Sequence, residues 1–138
     1  MTIRTLLVDD EPLAIQGLEL RLQPFADIDI VGRAANGREA IRAIRTEKPD
    51  LVFLDVQMPG FDGFSVVSAL ADVTPPFFVF VTAYSDHAIR AFDAEAVDYL
   101  MKPVDPERLT QTIERVRGRL LERRMCDEAE RLAAKLAE

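Results

Sequence analysis

Cysteine is nearly missing from this chain: Cys126 stands alone, which excludes an internal disulfide framework. With charged Arg124 and Asp127 close by, it reads as a helix-surface residue rather than a nucleophile. Glycine and proline are modest, at 6 and 8 of 138 residues, which excludes fibrous and low-complexity chains. Basic residues are outnumbered 17 to 24, for a formal charge of -7. That balance argues against gripping a nucleic-acid backbone, which needs a concentrated Lys/Arg surface. Long apolar runs are absent near the N-terminus, where a short apolar stretch meets Asp9, Asp10 and Glu11. Neither a secretory signal nor a membrane span fits there, and a cytoplasmic location is expected.

What is present suits one soluble α/β domain: 49% hydrophobic and 30% charged residues, in a chain too short for two ordinary domains. Short runs rich in β-branched and aromatic residues recur at 3–8, 28–33, 51–54, 77–81 and 97–101. Helical periodicity fills the intervals at 12–22, 37–47, 63–71 and 86–92, and again from Pro106 onward. Ala40, Ile41 and Ile44, for example, make an inward stripe. Such alternation predicts a parallel sheet wrapped by helices, and strands that are apolar almost throughout predict cover on both faces.

The last helix carries Leu109, Ile113, Val116 and Leu120 on one face, yet helical composition continues through Leu121, Met125, Leu132 and Leu136. One domain over 1–120 with a helical extension over 121–138 is therefore expected. Gly118 costs about 1 kcal/mol in a helix interior relative to Ala, so it is expected to mark an end or bend of the docked helix. The extension reads either as a frayed tail or as a linker or dimer-forming segment.

In an open parallel sheet, ligand chemistry gathers outside the carboxyl ends of the strands. Asp9 and Asp10 follow the first strand, Asp55 the third, Thr82 the fourth and Lys102 the fifth. Taken singly, these are a helix cap, an ordinary strand threonine and a solvated lysine. Together they place three carboxylates where mutual repulsion asks for a cation. Mg2+ suits them, because it prefers oxygen ligands and is held by few carboxylates plus phosphate oxygens. With that ion, the ionised Asp55 carboxylate can attack the phosphorus of a phosphodonor in line. Lys102 supplies a second positive charge, and the Thr82 hydroxyl can donate to a phosphoryl oxygen.

Four motifs, Val8-Asp9-Asp10-Glu11, Asp55-Val56-Gln57-Met58-Pro59-Gly60-Phe61-Asp62-Gly63, Val81-Thr82-Ala83 and Tyr99-Leu100-Met101-Lys102-Pro103, resemble the receiver domains of bacterial two-component response regulators in order, spacing and strand position. The resemblance covers roughly residues 3 to 120. It implies a flavodoxin-like (βα)5 doubly wound sheet in the order 2-1-3-4-5. It further implies that Asp55 is the phosphoacceptor, that Asp10 and Asp55 bind Mg2+ directly with the Gln57 backbone carbonyl, and that Asp9 acts largely through water. Thr82 and Tyr99 resemble a switch pair, Lys102 the phosphate-binding lysine, and Lys102–Pro103 a cis bond.

The implied partner is a sensor histidine kinase that carries the phosphohistidine, since His87 in this chain reads as a surface residue. Gln57 and Tyr84, two residues after Asp55 and Thr82, are expected to tune dephosphorylation, with Tyr84 narrowing the path of an attacking water. Asp62 before a helix is read as an N-cap, and Gly63 as supplying an unusual backbone angle.

The segment from Thr82 to Phe92 and the ending Val97-Asp98-Tyr99-Leu100-Met101-Lys102-Pro103 look most like the LytR/AlgR branch, in which the receiver precedes a LytTR-type DNA-binding domain. DNA contact would then come only through an output domain outside this chain, and transcription would be the regulated process. The alternative is a receiver standing alone in a phosphorelay or acting by protein–protein contact. Homodimerisation is expected either through the face made by 86–92, the fifth strand and the helix from Pro106, where Ala91, Phe92 and Tyr99 lie, or through the C-terminal helix. An aspartyl-phosphate phosphatase would want a second Asp where Gln57 stands. An FMN module would want a Gly/Ser/Thr-rich loop where Asp9-Asp10-Glu11 would repel phosphate.

Overall fold

The computed structural model describes residues 2–58, 62–70, 75–83 and 96–137. In chain order the elements are β1 (Ile3–Val8), α1 (Pro12–Leu22), β2 (Ile28–Ala34), α2 (Gly37–Glu47), β3 (Leu51–Asp55), α3 (Gly63–Ala69), β4 (Phe77–Thr82), β5 (Asp98–Met101) and α4 (Pro106–Leu136). The expected helix at 86–92 lies outside the described residues. Strand ends differ from the sequence expectation by a residue: β3 and β4 each extend one residue further, taking in Asp55 and Thr82. Those side chains sit at the strand ends as polar punctuation, but their backbones still pair across the Asp55–Val81 and Thr82–Met101 registers.

All pairings are parallel, and the strand order is β2-β1-β3-β4-β5. Strand alternation divides the core in two. Leu51 and Phe53 of β3 and Val79 and Val81 of β4 point to one face, where Leu18 and Leu22 of α1 and Leu109, Ile113, Val116 and Leu120 of α4 cover them. Val52, Leu54, Phe78 and Phe80 point to the other, under Ala40 and Ile44 of α2 and Val66 of α3. The central strands are therefore buried on both sides, which is why their sequences show no polar alternation.

Local chemistry starts the helices. Pro12 and Pro106 occupy the first turns of α1 and α4, where a missing N–H costs nothing. Asn36 caps α2 by accepting from the Glu39 N–H at 2.9 Å, while the Glu39 carboxylate reaches back to the Ala35 N–H at 2.8 Å. Asp105 caps α4 through the Arg108 N–H at 3.1 Å.

Gly118 does not end the last helix: α4 continues from Pro106 to Leu136. The helical penalty of one glycine, about 1 kcal/mol, is outweighed by the burial of Val116 and Leu120 on either side of it. Docking extends as far as Arg123, whose guanidinium lies 3.9 Å from the Phe77 ring centroid and donates to the Pro75 carbonyl at 3.1 Å. Beyond Arg123 the described side chains are exposed.

Candidate functional site

Three strands deliver the site. The first residue after β1, the last of β3 and the first after β5 are Asp9, Asp55 and Lys102, and the parallel pairing brings all three to the same edge of the sheet. Asp9 and Asp55 are buried and Asp10 is exposed, and one carboxylate oxygen from each lies within 4.8 Å of the others. The Lys102 ammonium hydrogen-bonds to Asp9 Oδ2 at 2.7 Å and lies 3.5 Å from Asp55 Oδ2. Backbone donors hold the remaining oxygens: the Glu11 N–H reaches Asp9 Oδ1 at 2.9 Å and the Gln57 N–H reaches Asp55 Oδ1 at 3.2 Å.

These groups do not balance. Burial, and then the negative charge of Asp9, push the Asp55 carboxyl up from 3.8 to about 6, against the opposing pull of Lys102 and the Gln57 N–H. Burial works against the Lys102 ammonium, but its hydrogen bond to Asp9 and the charges of Asp55, Asp9 and Glu11 outweigh it and hold its pKa above the usual value. Three carboxylates around one ammonium leave a negative excess in a partly desolvated site, and all the carboxylate donors are hard oxygens. This set suits a small divalent cation such as Mg2+.

Two neighbours frame Asp55. Asp62 caps α3, accepting from the Ser65 N–H at 2.9 Å. Gly63 sits where an added Cβ would lie 2.7 Å from the Asp55 carbonyl oxygen and 3.1 Å from Val56 Cα, while its own N–H donates to the Val56 carbonyl at 2.8 Å. Glycine is thus required by close approach, not by the unusual backbone angle expected from sequence, since Gly63 does not adopt a positive φ. It lets the start of α3 press onto the end of β3 and set the direction in which Asp55 emerges.

Thr82 is buried at the end of β4, and its carbonyl accepts from the Lys102 N–H at 2.7 Å. Tyr99 is half-buried and pairs in register with Phe80, so Thr82 and Tyr99 share one sheet face, two residues apart on neighbouring strands. Gln57 is exposed beside Asp55. The Lys102–Pro103 peptide bond is cis. Tyr84, His87, Ala91, Phe92 and the Pro59-Gly60-Phe61 part of the second motif lie outside the described residues.

Sequence reasoning missed two supports of the site. Arg21 of α1 donates from Nε to the Val104 carbonyl at 2.9 Å, tying α1 to the loop that carries Lys102 and Pro103. Asp98 is buried and gathers Arg108, Thr112 and Arg115 of α4 at the start of β5. Asp98 directly precedes Tyr99 in the sequence, a usable signal. Arg21 carried none, because its partner is 83 residues away and is a backbone carbonyl.

The profile of the response regulator receiver domain family matches residues 5–114. The chain is 47% identical over 115 residues to the transcriptional regulatory protein BtsR of Salmonella typhi, covering 83% of this chain and 48% of that protein. It is 48% identical over 115 residues to an uncharacterized response regulatory protein of Shewanella oneidensis, with 83% and 49% covered. The chain thus spans about half the length of the curated relatives it matches. Among solved structures, the response regulatory domain of Klebsiella pneumoniae mrkE superposes with a TM-score of 0.79 at 30% identity, covering 87% of this chain and 99% of that one. The REC domain of AraT from Geobacillus stearothermophilus gives 0.81 at 26% identity, covering 90% and 99%.

Proposed function

Because this chain belongs to the response regulator receiver domain family, we propose that it is the phosphoacceptor switch of a two-component system, taking a phosphoryl group from a sensor histidine kinase onto Asp55. The observation that carries the reading is the cluster of buried Asp9 and Asp55 around half-buried Lys102, with Asp10 beside it, an anionic site with a cation deficit at the carboxyl edge of a parallel sheet.

An Asp55 carboxylate oxygen forms the new bond to phosphorus as the bond from phosphorus to the donor breaks, and the departing donor keeps that electron pair. Lys102 is placed to follow the added charge, because its ammonium already spans Asp9 and Asp55. Asp10, Asp55 and the Gln57 carbonyl would hold Mg2+, with Asp9 acting through water, and the bound ion would supply positive charge to this anionic edge. The Gln57 N–H fixes the orientation of Asp55. Gln57 and Tyr84 are assigned to the rate at which water removes the phosphoryl group.

The readout runs through Thr82 and Tyr99. A threonine hydroxyl turned toward the phosphoryl oxygens would leave space on the sheet face that the two residues share, and the tyrosine ring would follow. The chain acts as a switch rather than a turnover enzyme. A cytoplasmic, DNA-directed role as the receiver half of a LytR/AlgR-type transcription regulator is supported by the ending from Val97 to Pro103 and by the identity to proteins named as transcriptional regulators. Among the described residues no helix is long and apolar enough to cross a membrane.

Intact mass after incubation with acetyl phosphate tests the proposal. A gain of one phosphoryl group that requires both Mg2+ and Asp55, and is lost in Asp55→Asn, is expected; no gain under any condition would refute it.

A further inference from the structure

The last helix changes the side on which it is apolar. At about 100° per residue, the docked residues Leu109, Thr112, Ile113, Val116 and Leu120 share one face of α4. Past Arg123 that same face becomes Asp127, Glu130 and Arg131, which could not pack onto a sheet. Leu121, Met125, Leu132 and Leu136 instead fall within an arc of roughly 60°, nearly opposite the docked face. They are 55%, 62%, 60% and 80% exposed. The helix therefore leaves its own domain with an apolar seam turned outward, and no described residue covers that seam.

The spacing of the seam is regular. Leu121 and Leu132 are eleven residues apart, as are Met125 and Leu136 and the small residues Gly118 and Ala129 on the same side. An eleven-residue repeat keeps a stripe in place along an almost straight helix and gives a slight right-handed supercoil when two such helices pair. A Cβ at Gly118 would meet nothing within 4 Å, so the seam is open at its start as well.

We infer that this seam is the contact surface for a second copy of the same chain, forming a parallel, in-register two-helix pair over residues 118–136. Self-pairing covers each layer with its own equivalent, Leu121 on Leu121 and Leu132 on Leu132. The flanking charges choose the direction. One flank is basic, with Arg124, Arg131 and Lys135 interrupted only by Glu128; the other carries Glu122, Cys126 and Ala133. A parallel two-fold sets the basic flank of one helix against the neutral-to-acidic flank of its partner. An antiparallel two-fold sets the basic flanks against each other, which like charges disfavour. The pairing goes beyond the phosphoacceptor reading and does not rest on it, since it involves neither Asp55 nor the Thr82–Tyr99 face.

Light scattering of the unphosphorylated chain over a dilution series tests it. A dimer mass that falls to monomer on dilution is expected. Leu132→Glu and Met125→Glu should each weaken association at least about tenfold, since an isolated charge in a paired apolar seam costs well over the 1.4 kcal/mol that makes a factor of ten. Both side chains are solvent-exposed in one copy, so unchanged thermal unfolding of the dilute variants would show that the domain itself is intact. Glu130→Gln, on another face, should leave association unchanged. Direction is read in Leu121→Cys combined with Cys126→Ser: mild oxidation should link two such chains to each other. A parent that stays monomeric at high concentration, or a dimer indifferent to both glutamate variants, would overturn the seam. A Leu121→Cys chain that links only to a Leu136→Cys chain would overturn the parallel arrangement.

Discussion

Asp55 is held in a poise that a free carboxylate would not choose. Its pKa is raised from 3.8 to about 6, first by burial and then by Asp9. The folded state therefore binds its proton more tightly than the unfolded state does. The stability this group contributes is present below pH 3.8 and lost as pH rises through about 6. Asp55→Asn keeps the shape and removes the charge. Without divalent ions, the variant is expected to match the parent near pH 4 and to exceed it at pH 7 by on the order of 2 kcal/mol. Urea unfolding at the two pH values measures this, and equal midpoints at pH 7 would contradict it. A cation bound beside Asp55 would relieve the repulsion from Asp9 that helps raise its pKa.

Between elements, the join of β5 to α4 turns on one buried carboxylate. Asp98 accepts from Arg108 at 2.7 and 2.6 Å and from Thr112 at 2.8 Å, and Arg115 lies 3.0 Å away. Burial alone would raise its pKa, but the Arg108 and Thr112 hydrogen bonds outweigh burial and hold it below the usual carboxylate value. Its contribution to stability is thus present above pH 3.8 and declines as pH falls below that. Asp98→Ala is expected to cost about 3 kcal/mol at pH 7, because Arg108 and Thr112 lose their shared acceptor. Denaturation at pH 7 and pH 3 should show that difference shrinking with acid. Since Tyr99 follows Asp98 directly, the same network steadies the strand on which the proposed switch residue rides.

For the whole molecule, the carboxylate edge predicts a stability that depends on divalent ions. Millimolar Mg2+ should raise the melting temperature of the parent by mass action on the folded state alone, and the gain should vanish in Asp10→Asn. Calorimetry with and without the ion measures it, and an equal gain in that variant would remove Asp10 from the ligand set.

Much of this was readable from the residues in order. Strand positions followed from apolar runs, and the convergence of Asp9, Asp10, Asp55 and Lys102 followed from placing each at the end of a parallel strand. Those are local patterns combined with one topological rule. The chain order by itself thus determined the fold class, the order of elements and which polar residues share an edge. Tertiary structure alone decided why residue 63 must be glycine, that Arg21 holds the Lys102 loop, that α4 runs unbroken through Gly118, and that its second apolar stripe faces away from the domain. Each of these depends on what lies across space from a residue, and periodicity along a chain reports how often a face recurs but not what stands opposite it.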